Sequence, residues 1–256
     1  MNDKKKIVAD WLPRYTGRKL ENFGKYILLT NFNHYIELFS EKYSVDILGL
    51  DKPMPNSSYN DITIINFGMG SPNAATIMDL LTSIKPKAVL FLGKCGGLKK
   101  KNKLGDLILP IGAIRGEGTS NSYLPSEVPA LPAFTLQKAV STIIRTQNKD
   151  YWSGTVYTTN RRVWEHDEEF KDYLRKCRCM AIDMETATLF TAGFYNEIPI
   201  GALLLVSDQP MISEGVKTNE SDKKVSKDFL VEHLNIGISS LLELINKGLS
   251  VKHLRF

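Results

Sequence analysis

Short runs rich in Ile, Leu and Val alternate along this chain with amphipathic stretches, so both can be buried only in a layered arrangement of sheet and helices. The runs YILLT (26–30), SVDILGL (44–50), DITIINF (61–67), KAVLFLG (87–93), GDLILPI (105–111), SGTVYT (153–158), MAID (180–183) and GALLLVS (201–207) have the length and composition of buried strands. Between them, 33–43, 71–84, 134–147, 168–176, 185–196 and a long segment over 222–248 read as helices. The second of these begins SPNAA, with Ser71 as the expected N-cap and Pro72 at the first helical position. The alternation predicts an α/β fold on a largely parallel sheet.

With 256 residues, 43% hydrophobic and 24% charged, the chain suits one large domain, taken as residues 25–256 after an N-terminal extension over 1–24. Its apolar runs are too short to span a bilayer, and MNDKKKIVADWLPRY lacks the apolar core of a signal peptide. A cytoplasmic protein with no membrane partner is therefore expected. The formal charge of +5 is mild, and KKKNK (99–103) carries no interleaved aromatics, which favours a solvated loop over a nucleic-acid surface. Cys95, Cys177 and Cys179 fit no metal or CxxC spacing, and Cys177 and Cys179 read as structural. The segment GEGTSNSYLPSEVPALPA (116–133) has no period, and a loop of that length is usually functional.

In open α/β sheets, ligands bind beyond the carboxyl ends of the strands. NFGMGSPNAA (66–75), FLGKCGGL (91–98), IDMETAT (182–188) and LVSDQP (205–210) fall at such ends. The GMG of 68–70 opens a helix and could face an anion or a sugar with backbone amides, but it lacks the third glycine of a dinucleotide fingerprint. GKCGG (93–97) lacks the spacing and ending of a phosphate-binding P-loop and reads as a turn cradling a heterocyclic base. Cys95 has no base nearby to make it a nucleophile.

Asp183 and Glu185 lie in a run of apolar and small residues, where burying a charge costs several kcal/mol unless it is hydrogen-bonded. Asp208 follows a very apolar strand; partial desolvation there raises a carboxyl pKa and suits it to donate a proton near neutrality. Two acids at different strand ends, in different surroundings, match the chemistry of bond breaking at an anomeric carbon.

Taken in order, GMG (68–70), GKCGG (93–97), DMET (183–186) and VSD (206–208) resemble the nucleoside phosphorylase and nucleosidase superfamily of the hexameric purine phosphorylase type. The likeness covers roughly residues 25–245, an extent in keeping with one large domain. Within that superfamily, LLTNFNHY (28–35), IRGEGTS (114–120), SGTVYTTNRRVWE (153–165), AIDMETAT (181–188) and EHLNIGI (232–238) are most similar to the members that hydrolyse AMP. The resemblance implies a three-layer α/β/α fold with a mixed, partly barrel-like sheet, a homohexamer, a small-molecule substrate such as AMP, and no metal or redox cofactor. It also implies the release of adenine and ribose 5-phosphate, with Asp208 as general acid to the purine. Glu185 is implied to bind the ribose hydroxyls with Asp183 in support, Met184 to pack beneath the sugar, and Trp164 or its neighbours Arg162 and Val163 to line the base.

Gly70, Lys94, Cys95 and Gly96 are the implied backbone and side-chain contacts of the two glycine segments. Phosphorylases carry an arginine two residues before the GxxGG segment and a serine inside it, both gripping orthophosphate. Here Phe91 and Lys94 stand there, which implies water as the nucleophile. Candidates for a 5′-phosphate pocket are Asn31, Asn33 and His34, Arg115 with Thr119 and Ser120, and Lys94. Arg161 and Arg162 join them, although neighbours on an extended segment point opposite ways. Lys217, Lys223 and Lys224 are candidates for the basic partner of Asp208. His233 and His253 are expected to be structural or solvent-facing. Longer members carry an extra N-terminal domain, for which 256 residues leave no room. A purine or uridine nucleoside phosphorylase and a catalytically silent nucleotide binder are the competing readings.

Overall fold

The computed structural model describes residues 2–248, so His253 lies outside the described residues. In chain order the elements are α1 (Asn2–Thr16), β1 (Tyr26–Thr30), α2 (Asn33–Tyr43), β2 (Ile47–Leu48), β3 (Asn56–Tyr59), β4 (Ile62–Asn66), α3 (Ser71–Leu81), β5 (Ala88–Gly97), β6 (Leu107–Gly116), α4 (Phe134–Thr146), β7 (Trp152–Thr159), α5 (Glu168–Lys176), β8 (Ala181–Asp183), α6 (Thr186–Tyr195), β9 (Ile200–Asp208) and α7 (Asn219–Asn246).

The strands form one sheet in the order β2-β3-β4-β1-β5-β8-β7-β6-β9, and β9 pairs again with β5. That second pairing closes β5, β8, β7, β6 and β9 into a barrel, while the remaining strands extend from β5 as an open wing. Parallel pairs β1–β4, β1–β5 and β5–β9 make the centre, and the β2–β3 and β3–β4 pairs are antiparallel. One apolar cluster joins the sheet to α1, α3 and α6 through residues such as Leu12, Ile77 and Leu189; a second joins it to α2, α4 and α7 through Phe39, Leu136 and Leu241. This is the three-layer α/β/α arrangement, and the sheet is mixed around its barrel.

The strand β5 decides where the site lies. All of its residues are buried. It runs beside β1 from Ala88 to Leu92, then pairs with β8 at Gly96 and Gly97. GKCGG is thus the second half of a strand, not a turn. Its glycines are needed because side chains close in where the strand changes partners: a Cβ at Gly93 would lie 2.4 Å from the Phe91 ring, and one at Gly96 would lie 2.9 Å from Pro210. The β5–β9 register slips between Cys95 and Gly96, whose partners are Val206 and Asp208. The bulge leaves Ser207 as the extra residue and re-aims the end of β9, as bulges beside active sites commonly do.

Other expectations are corrected as well. Val8 and Leu12 of α1 enter the first core cluster. Only Ile47–Leu48 of the run 44–50 is strand, and the polar NSSY (56–59) forms β3. Gly70, not Ser71, occupies the N-cap of α3, and the Ser71 hydroxyl instead donates to the Met184 carbonyl at 2.7 Å. The strand β6 runs on beyond the expected 105–111 to Gly116, where the expected loop begins. Among the described residues no helix is long and apolar enough to cross a membrane.

Candidate active site

A cleft opens at the carboxyl ends of β1, β5, β7, β8 and β9. Glu185 sits at its floor, 2% exposed, at the N-cap of α6. Its Oε1 accepts the Gly70 N–H at 2.7 Å, its Oε2 accepts the Met184 N–H at 3.3 Å, and the Asn31 side chain adds a further hydrogen bond. The glycine is required for that geometry: Gly70 has φ 92°, a conformation that leaves its amide facing the carboxylate. Burial, and then the neighbouring charge of Asp183, push the Glu185 pKa up to about 8, against the pull of these donors.

Asp183 is also buried, but its oxygens are taken. Oδ1 accepts from Thr158 Oγ1 at 2.7 Å, and Oδ2 accepts from the Thr186 N–H at 2.8 Å and its hydroxyl at 2.5 Å. Desolvation raises its pKa while these donors oppose the rise. Asp183 therefore organises the start of α6 and the wall beside Glu185, and the two buried acids are accommodated in different ways. Asp183 is satisfied from within the fold; Glu185 keeps acceptor capacity towards the cleft. Beside it, Asn31 Oδ1 is buried with no hydrogen-bond partner among the described residues.

Asp208 ends β9. Ser207 Oγ donates to its Oδ1 at 2.6 Å. Burial raises its pKa; the Ser207 hydrogen bond and the charges of Lys217 and Arg162 lower it, and Glu165 raises it. Cys95 lies between the acids, 3% exposed, and burial with the charges of Asp183 and Asp208 pushes its thiol well up, so it is no thiolate nucleophile.

The cations are arranged around Phe32. Lys94, 8% exposed, donates to Ser226 Oγ at 2.9 Å and lies 4.6 Å from the Phe32 ring centroid; Lys217 lies 5.7 Å from the same ring. Arg161 pairs with Asp167 at 2.9 Å and Arg162 with Glu165 at 3.7 Å, and both arginines line the cleft because the chain bends after β7. The expectation that they point opposite ways assumed an extended segment and is corrected here. Trp164, 4% exposed, lines the cleft and packs edge-on to Phe170 at 5.4 Å.

The cleft thus brings together Asn31, Lys94, Cys95, Gly96, Arg162, Trp164, Asp183, Met184, Glu185 and Asp208. Gly70 stands behind it, acting through Glu185. Several expected residues lie elsewhere. Arg115 gives its donors to its own loop, to Ser120 Oγ at 2.9 Å, Asn121 Oδ1 at 3.0 Å, and the carbonyls of Leu124 at 2.7 Å, Val128 at 2.9 Å and Pro125. Thr119 starts a 3-10 turn, Thr119–Ser122, in that loop, away from the cleft. Asn33 accepts from Asn66 Nδ2 at 2.6 Å, and His34 pairs with Glu37 at 3.0 Å; neither lines the cleft. Val163 is 71% exposed and is not part of the lining. Lys223 and Lys224 are exposed on α7, outside the cleft. His233 is fully buried between Tyr35 Oη at 2.6 Å and the Leu203 carbonyl at 3.0 Å; burial drives its pKa down to about 3, so it is neutral and structural. Glu165 and Ser207 line the cleft and were not anticipated. Ser207 had a signal in the VSD motif, whereas Glu165 had none beyond its place after RRVW. Among the described residues no group of three or more His, Cys, Asp or Glu side chains could hold a metal ion.

The phosphorylase superfamily model matches residues 55–242. AMP nucleosidase of Escherichia coli (strain K12) is 28% identical over 276 residues, covering 90% of this chain but 57% of that protein. The chain therefore spans little more than half the length of that curated relative. Guanosine phosphorylase of Halorubrum lacusprofundi is 27% identical over 194 residues, covering 74% of this chain and 80% of that protein. The crystal structure of AMP nucleosidase from Bacteroides thetaiotaomicron VPI-5482 superposes with TM-score 0.84 at 58% identity, covering 96% of this chain and 98% of that one. A uridine phosphorylase structure from Vibrio fischeri ES114, at 24% identity, TM-score 0.77, and 88% and 93% coverage, shares the fold.

Proposed function

This chain belongs to the phosphorylase superfamily, and we propose that it hydrolyses the N-glycosidic bond of AMP to adenine and ribose 5-phosphate. The observation that carries the proposal is one cleft with acceptors at its floor and an acid at its wall. Glu185 and the unpartnered Asn31 Oδ1 would take donors from ribose hydroxyls, while Asp208 stands at the end of β9. Hydroxyl donors to Glu185 favour its charged form, and that charge gains value as the sugar becomes cationic.

In the reaction Asp208 gives a proton to N7 of the purine. The C1′–N9 bond breaks with its electron pair leaving on the base, and water adds to C1′ and loses a proton. A positioned acid of this kind contributes ~10²–10⁴ in rate. Ser207 holds one oxygen of Asp208 and leaves the proton to the other. Water as the nucleophile is supported by the core packing of Phe91, fully buried against Phe67 at 5.7 Å, which offers no donor to orthophosphate. Lys94, Arg161, Arg162 and Lys217 give the cleft the positive charge that a 5′-phosphate needs. A single catalytic domain over 25–256, with α1 packed on it, a homohexameric assembly and a cytoplasmic role in purine salvage belong to the same proposal.

The test is adenine release from AMP and from adenosine, each with and without orthophosphate. Turnover of AMP in phosphate-free buffer is expected. Turnover that requires orthophosphate would place the chain with the nucleoside phosphorylases instead.

A further inference from the structure

A fourth carboxylate in the cleft has no part in the chemistry above. Glu165 follows Trp164 in the bend after β7, and its side chain is 16% exposed. It is oriented from two sides: Oε2 accepts the Trp164 backbone N–H at 2.9 Å, and Oε1 lies 3.7 Å from Arg162 Nη1. A carboxylate has about four lone-pair directions, so these two partners leave it able to accept more. The 3.7 Å separation from Arg162 is too long for a close charge-assisted hydrogen bond, and an ion pair of that length contributes little by itself. Glu165 lines the same cleft as Trp164 and Asp208, and its charge reaches Asp208, where it favours the protonated acid.

The edge of adenine that carries N7 also carries the 6-amino group: an acceptor beside a donor. A 6-oxopurine presents two acceptors on that edge. A protonated Asp208 facing N7 and the Glu165 carboxylate in the same cleft form the complementary donor and acceptor. We propose that Glu165 is the specificity-determining residue for the base, accepting a hydrogen bond from a 6-aminopurine and rejecting 6-oxopurines by setting a carboxylate against their O6. This deepens the proposed function and rests on its placement of the base at Asp208.

Binding of free adenine and hypoxanthine, measured by calorimetry, tests it without any bond being broken. The wild type should prefer adenine by about 10-fold or more, since a buried acceptor facing another acceptor is left unpaired. Glu165→Gln, whose amide can also donate, should shrink that preference by about 10-fold, and kcat/KM for AMP over IMP should shrink with it. Glu165→Asp, which keeps the charge, should retain preference for adenine and guards against a mere folding defect. A ratio of adenine to hypoxanthine affinity in Glu165→Gln that matches the wild type would overturn the inference. The two readings fail separately: a protein that does not hydrolyse AMP but loses its adenine preference on Glu165→Gln retires the hydrolysis and keeps the base reader.

Discussion

The Gly70 backbone N–H lies 2.7 Å from Oε1 of Glu185, although the two residues are 115 apart in the chain. The loop before α3 and the loop before α6 are thereby locked to one another through the carboxylate proposed to hold the ribose. Gly70→Ala places a side chain at φ 92°, a region that costs about 1–3 kcal/mol for residues other than glycine. Its Cβ would meet only Pro72 at 3.9 Å, so the penalty is conformational, not steric. The expected outcome is a displaced amide, with kcat for AMP reduced by about 10-fold or more as an aligned hydrogen bond to a charged group is lost. Steady-state kinetics beside a denaturation curve checks this; an undiminished kcat would show that the amide does not hold the carboxylate in its working position.

Glu185 also makes stability depend on pH. Its folded-state pKa of about 8 exceeds the ordinary value of 4.5, so the folded protein holds a proton that the unfolded chain releases. The stability this supplies is complete below the ordinary value and is lost as pH rises through the folded value. Glu185→Gln cannot titrate, so its stability should fall less than the wild type's between pH 5 and about 8. Urea midpoints at the two ends of that range check it, and parallel curves for the two proteins would contradict it.

Thr158 is tied to both neighbours of the site, donating to Asp183 Oδ1 at 2.7 Å and accepting the Ala187 N–H at 2.9 Å. Thr158→Val keeps the shape and removes both bonds, leaving a buried carboxylate and a buried amide short of a partner. A loss of about 1–3 kcal/mol in unfolding free energy is expected. Chemical denaturation monitors it directly, and a change near zero would mean that Asp183 draws its support elsewhere.

Arg115 predicts a different behaviour from the one its sequence context suggests. Its contacts hold the segment 120–128, so Arg115→Ala should speed amide exchange there while β5 keeps its protection. Collapse of AMP affinity with unchanged exchange in that segment would restore the guanidinium to a phosphate-binding role.

Much of this is legible in the sequence. The helices at 33–43 and 168–176 begin and end where periodicity placed them, the second helped by Asp167, whose side chain accepts the Phe170 N–H as an N-cap. Glu185 and Asp208 were marked by carboxylates standing where a core should be apolar, and they do face one cleft. What was lost has local causes. GKCGG looked like a turn because its glycines mark close packing within a strand, which only the β5–β8 and β5–β9 pairings reveal. Basic residues at the start of α1 hid the spacing of Val8 and Leu12, four apart on one helix face. NSSY carries no apolar pattern, yet β4 gives it a ladder partner. Glu165, three and four residues after two arginines, reads as surface charge until the bend after β7 turns it into the cleft.

The most direct measurement is the rate of adenine release from AMP in phosphate-free buffer by Asp208→Asn beside the wild type. The substitution keeps the shape at the end of β9 and removes the proton. A fall in kcat of about 100-fold or more, with KM for AMP little changed, is the predicted result. Adenine released by the variant at a rate close to the wild type's would contradict it, because the departing purine would then be taking its proton from some other group.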